Sequence, residues 1–183
     1  RVAVEVDEPR GVDSHERMIR ARDRLLAITV NRRILLAARP DGLVTEANFN
    51  RVEESVPEPA EGEALVRVLS LSVDPTNRVW MREQDSYLPA IEIGAVVRAA
   101  GMGEVIESRN ELYPVGSLVM GMAGWQDYWM LGGDELANVV PPGLPVEDML
   151  SIYGVTGLTA YFGLHEVAVP EPGVACLIGA AGL

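Results

Sequence analysis

What most constrains the fold of this chain is its punctuation between residues 31 and 142, where short apolar runs are repeatedly closed by glycine, proline, asparagine or aspartate. Ala64 to Val73, ALVRVLSLSV, alternates with a period of two and predicts a half-buried strand. Comparable runs predict strands over 33–38, 48–56, 94–98, 103–107, 117–122, 127–131 and 136–140. Pro40-Asp-Gly42 and Pro57-Glu-Pro-Ala-Glu-Gly62 supply turn chemistry between them. A short helical stretch is expected over 76–83. Many short strands at close spacing imply a mainly β, barrel-like module.

Past Pro141-Pro-Gly143 the pattern changes. Pro145 followed by Val-Glu-Asp suits the first turn of a helix, where proline is tolerated and acids complement the dipole. Helical texture continues to about Val167, with breaks expected near Gly154 and Gly157. After the turn Pro170-Glu-Pro-Gly173 comes Val174 to Ile178, a run too apolar to face water on either side. It leads into Gly179 and Gly182, and a buried strand feeding a glycine turn is how a dinucleotide-binding unit opens. The chain thus divides into an extension over 1–30, disordered or a loose helix, a β-rich module over 31–142, and connecting helices with the first strand of an incomplete α/β domain over 143–183.

Charge narrows the function. The net charge is −12, yet residues 1–39 carry nine Arg against six acids, so the remainder is strongly acidic. An acidic body excludes nonspecific nucleic-acid binding, which needs a clustered positive face. Every basic residue is arginine, which removes lysine Schiff-base chemistry from this stretch. Residues 14–28 form an amphipathic pattern readable as a partner- or membrane-surface helix, but a loosely attached extension is the preferred reading. No run is long enough to span a membrane and no signal peptide is visible, so no membrane partner is expected. Cys176 is the only cysteine, which fits a reducing, cytoplasmic setting.

Four words in order carry a resemblance: Asn31-Arg-Arg-Ile-Leu-Leu-Ala-Ala-Arg-Pro40, Leu71-Ser-Val-Asp-Pro-Thr-Asn-Arg-Val-Trp-Met81, Gly124-Trp-Gln-Asp-Tyr128 and Tyr153-Gly-Val-Thr-Gly-Leu-Thr-Ala-Tyr-Phe-Gly-Leu164. Together they resemble the zinc-independent medium-chain dehydrogenase/reductases, in the NADP-dependent alkenal, prostaglandin and curcumin reductase branch. The resemblance implies a GroES-like β-barrel catalytic domain followed by the truncated start of a Rossmann domain. It implies NADP(H) as cofactor, a small enone or enal as substrate, and reduction of the carbon–carbon double bond without a metal. It also implies a parent protein able to form a homodimer, of which this chain would be the N-terminal half, poor at binding cofactor by itself. A noncatalytic NADPH-binding protein on the same scaffold stays open as the alternative. One Cys and two His cannot supply the ligands that zinc-dependent relatives need.

By the same resemblance, Asn77 and Arg78, in the polar knot after the long strand, line the substrate side of the cleft, where the alternative is a capped turn with an Asp74–Arg78 pair. Relatives often carry a tyrosine where Thr76 stands here, which puts a preference for aromatic substrates in doubt. Trp125 is read as either pocket wall or barrel core. Thr156 and Gly157 are expected against the nicotinamide end of the cofactor, and Gly179 and Gly182 at its pyrophosphate. No residue is assigned a catalytic role.

Overall fold

The computed structural model describes residues 30–84, 86–132, 137–144 and 146–174. The amphipathic stretch over 14–28, the strand expected over 174–178 beyond its first residue, and both Gly179 and Gly182 lie outside them.

Among the described residues seven strands and three α-helices follow in order: β1 (Asn31–Leu36), β2 (Phe49–Glu54), β3 (Ala64–Leu71), α1 (Pro75–Trp80), β4 (Gly101–Ser108), β5 (Leu118–Gly121), β6 (Tyr128–Leu131), β7 (Asn138–Val139), α2 (Val146–Met149) and α3 (Val155–Phe162). β1 and β2 pair as a hairpin, and the others form an antiparallel sheet in the order β6-β3-β4-β5-β7. The mainly β module expected from the sequence is the structure's body. No helix among the described residues is long and apolar enough to cross a membrane.

The alternation of β3 sets the inner core. Ala64 and Val66 are fully buried and pack with Val105, Val119, Trp129 and Leu131 from the neighbouring strands, with Val68 alongside. On β4 the inward positions before Val105 are Gly101 and Gly103. A Cβ on Gly103 would press on the Val66 side chain and the Arg67 carbonyl, so its absence sets the close approach of β3 and β4. The opposite face of β4 and β5 contributes Met102, Leu118 and Met120 to a second cluster, closed by Val140, Met149 and Leu150. This anchors α2 against the sheet.

The hairpin closes the barrel on the β6 side. The Asn31 side chain stands in for a strand rung, donating through Nδ2 to the Tyr128 carbonyl and accepting from the Tyr128 N–H, both at 3.0 Å. One residue on, Arg32 pairs with Asp127 at 2.6 Å. Then comes a three-way junction. Ile34 N–H donates to the Trp125 carbonyl, Trp125 N–H to the Val97 carbonyl and Val97 N–H to the Ile34 carbonyl, each at 2.9 Å, so three segments are tied in a ring.

This junction explains why 94–98 is no regular strand. Gly94 turns the chain at φ +87°, and Val97 sends its N–H to Ile34 but its carbonyl to Trp125, where a residue of an antiparallel pair would turn both to one neighbour. Only an isolated bridge, Leu35 to Val96, remains. Gly124, at φ +70°, lets the chain turn into the ring from the other side. The break expected at Gly157 is also displaced: α3 starts after Gly154, and Gly157 lies inside the helix.

Candidate functional site: an aromatic-floored groove beside the hairpin

A third cluster links the hairpin to α1. Leu36, Trp80, Met81, Ile91 and Val97 are buried there, with Ile34, Phe49, Leu88, Ala95 and Trp125 packed against them. Above it opens a groove of about 1420 Å³ whose apolar lining includes Ile34, Phe49, Leu71, Val73 and Trp125. Trp125 and Phe49 lie with ring centroids 5.4 Å apart at 34°. Trp125 is therefore both: it packs against this core cluster and lines the groove.

The charged residues of the lining balance in number, Arg32, Arg33 and Arg51 against Glu46, Glu53 and Asp127. Arg32 meets Asp127, and Arg33 meets Glu54 at 2.5 Å. The hydrogen bond and charge of Asp127 hold the exposed Arg32 guanidinium above its ordinary pKa. Burial raises the pKa of the neighbouring Tyr128, against the lowering influence of Arg67, so its phenol stays neutral. An apolar floor inside a balanced charge rim suits a neutral, flat molecule better than a phosphate or a polyanion.

The structure places Asn77 and Arg78 away from this lining. Asn77 is buried, at 4% exposure. Its Oδ1 accepts from the Asp74 N–H at 2.6 Å, and its Nδ2 donates to the Arg98 carbonyl at 2.8 Å. That is one half of a capping box, with Asn in place of the usual Glu or Gln, and it fixes α1 against the 95–99 segment. The Asp74–Arg78 pair of the alternative reading is not formed: Asp74 accepts from the Ser72 hydroxyl at 2.5 Å, while Arg78 donates to the Gly42 carbonyl. Gly42 leads into Val44 and Thr45, which line the groove. Arg78 thus braces the turn that precedes these two residues.

On α3, Thr156 is exposed and its hydroxyl has no partner among the described residues. Gly157 is half-buried, its N–H donates to the Ser151 carbonyl at 3.0 Å, and a Cβ would collide with the Ile152 backbone. The helix leaves Val155, Leu158, Tyr161 and Phe162 open to solvent. Thr156 thus presents a free hydroxyl one residue before a close-packed glycine.

Sequence reasoning missed a small constellation behind α1. The Thr76 and Tyr87 hydroxyls lie 2.5 Å apart. The Tyr87 ring meets Trp80 edge-on at 6.1 Å, and the Arg98 guanidinium sits 5.5 Å from the centroid of the Trp80 ring. Its only sequence signal was Thr76 itself, where an aromatic was expected.

Comparison with known proteins places these features in a family. Residues 32–139 match the family model described as the N-terminal domain of oxidoreductase. The chain is similar to the NADPH-dependent curcumin reductase of Escherichia coli, 37% identical over 151 residues, which cover 82% of this chain and 44% of that protein. It is 30% identical over 157 residues to the NADP(+)-dependent 2-alkenal reductase of Nicotiana tabacum, covering 82% of this chain and 46% of the other. Among solved structures, CurA from Vibrio vulnificus in complex with NADPH superposes with a TM-score of 0.70 at 34% identity, over 76% of this chain and 42% of that one. The chain spans less than half the length of these relatives. With more than half of its residues inside the matching family model and the barrel built as that family builds it, the chain belongs to the medium-chain dehydrogenase/reductase superfamily, in the branch of the curcumin, prostaglandin and alkenal reductases.

Proposed function

We propose that this chain is the substrate-binding portion of an NADPH-dependent reductase acting on the carbon–carbon double bond of α,β-unsaturated ketones and aldehydes. The observation that carries the reading is the groove lined by Trp125 and Phe49 and rimmed by charges that balance in number, in a domain whose relatives are named for curcumin and 2-alkenal reduction. A conjugated carbonyl compound is neutral and flat, which matches both features. Trp125 and Phe49 would exclude water along one face of the substrate. Arg78 would hold the Gly42 turn that forms the rim, and Asn77 would keep α1 in register beneath it.

NADPH, when bound, supplies the hydride delivered to the β-carbon, with the balancing proton added at the α-carbon. Thr156 would hold it through its free hydroxyl, beside Gly157, with Gly179 and Gly182 at the pyrophosphate. No metal enters the proposal, because one Cys and two His do not make a zinc donor set. A cytoplasmic setting belongs to the same reading.

The test is NADPH oxidation, followed by absorbance, with a simple enone as substrate and, separately, NADP reduction with the corresponding allylic alcohol. Oxidation with the enone alone supports double-bond reduction. Turnover of the alcohol with NADP and none of the enone overturns it.

A further inference from the structure

β2 is an edge strand, and its outer edge carries a pattern of its own. Ile34 and Leu36 send their N–H groups to the Trp125 and Ala95 carbonyls and accept from Val97 and Gly94, so β1 turns its odd-numbered residues to β2. Asn31, Arg33 and Leu35 are therefore the residues hydrogen-bonded to Glu54, Val52 and Asn50. Arg51 and Glu53 aim their N–H and C=O groups outward, where no described residue meets them. The Phe49 N–H is already used, donating to the Glu46 carbonyl. The free edge is thus four backbone groups on two exposed residues of opposite charge.

Charge usually blunts an edge strand against pairing. Here the charges are self-complementary. Turn a second copy of β2 antiparallel about Val52, and Arg51 comes opposite Glu53 while Glu53 comes opposite Arg51. Both are hydrogen-bonding positions, so each copy satisfies the four outward groups of the other. Along that face the rung reads Asp127, Arg32, Glu53 and then Arg51 of the second copy, alternating in sign. Arg32 pairs with Asp127 and stands opposite Glu53 in the hairpin register. On the other face the half-buried Val52 meets its own copy, and Asn50 comes opposite Glu54.

Neighbouring registers fail. Sliding two residues one way sets Arg51 against Arg51 and calls on the occupied Phe49 N–H. Sliding two the other way sets Glu53 against Glu53. A slip of one residue turns outward groups against residues already bonded to β1.

We propose that this chain pairs with a second copy of itself through β2, making a four-stranded antiparallel sheet across a twofold axis at Val52. Phe49, Arg51 and Glu53 line the groove, so the two grooves open on the same face of that sheet. Two six-residue strands make a small contact, at the low end of specific interfaces, and the dimer is correspondingly weak.

The experiment is sedimentation velocity on the full chain at low salt, over a wide range of loading concentrations, with an expected dissociation constant on the order of 100 μM. Arg51→Glu and Glu53→Arg each set like charges opposite one another at both rungs and should weaken self-association about tenfold or more. An equimolar mixture of the two variants restores opposite charges at both rungs, and so does the chain carrying both substitutions. Each should return to within about threefold of the unsubstituted protein. Added salt should weaken the unsubstituted dimer. Both side chains are exposed, so the variants should keep its circular dichroism. A chain that stays monomeric throughout overturns the proposal. So does self-association unchanged in both variants, since pairing through another surface, such as the exposed apolar face of α3, does not depend on these two charges. Failure of the mixture to recover overturns it as well. Neither cofactor nor substrate enters the measurement, so the result stands apart from the reductase reading.

Discussion

Asn77→Ala separates a positioning role from direct substrate contact. The substitution removes the acceptor for the Asp74 N–H and the donor to the Arg98 carbonyl, at 2.6 and 2.8 Å, from a side chain only 4% exposed. Each bond is worth about 1 kcal/mol net, and each partner left buried without water costs about 1–3 kcal/mol. Allowing water to reach one of the two, the expected loss is about 3 kcal/mol, or roughly 6–12 °C in Tm for a chain of this size. Asn77→Asp keeps the acceptor toward Asp74 but sets an oxygen against the Arg98 carbonyl, so it should recover at most part of the loss. Guanidinium unfolding followed by circular dichroism gives both numbers, and an unchanged m value confirms that the same transition is compared. Enone affinity of the remaining folded fraction should match the parent. A variant within about 0.5 kcal/mol of the parent that no longer binds the enone would refute the capping argument and return Asn77 to the substrate.

Two further outcomes are expected. Gly103→Ala forces a methyl group onto Val66 and the Arg67 carbonyl and should cost about 1–3 kcal/mol or more by overpacking; the same guanidinium titration measures it, and a neutral result would mean that β3 and β4 can part more easily than their register suggests. Burial raises the Tyr128 pKa above its ordinary 10.0, so the folded state favours the neutral phenol; its contribution is complete below the unfolded pKa and is lost as pH rises through the folded one. Tyr128→Phe should therefore flatten the alkaline end of the stability profile and leave the neutral range unchanged, as thermal melts at successive pH values would reveal.

The period-two pattern of β3 was legible because burial follows it: Ala64, Val66 and Val68 face the inner core. Leu65, on the opposite face, is buried as well, and register shifts beside Val66 and Ser70 break the simple alternation. The 94–98 run misled because its residues have strand composition while their hydrogen bonds go to two different partners. Composition fixes what a residue can do, and the partner decides which of those things it does. Asn77 was read toward substrate because an amide beside an exposed loop can serve either a ligand or a cap, and only the Arg98 carbonyl twenty-one positions away decides. Arg78 is the same case, its partner being Gly42. Tyr87 leaves only an indirect trace in the sequence, Thr76 standing where relatives often carry an aromatic. Trp125 stayed open between core and wall, and the fold uses it as both.

The ring of bonds through Ile34, Val97 and Trp125 makes the order of events matter. Its three segments are far apart in the chain, and contacts of that separation are slow to form because loop closure must be met first. Trp125 is itself a ring member, and Arg98 follows Val97 directly. Ile34 and Trp125 belong to the ring and also line the groove, so a chain that has not closed the ring lacks the groove. Recognition of a small molecule in the groove is then a certificate that this long-range closure of the barrel has been made.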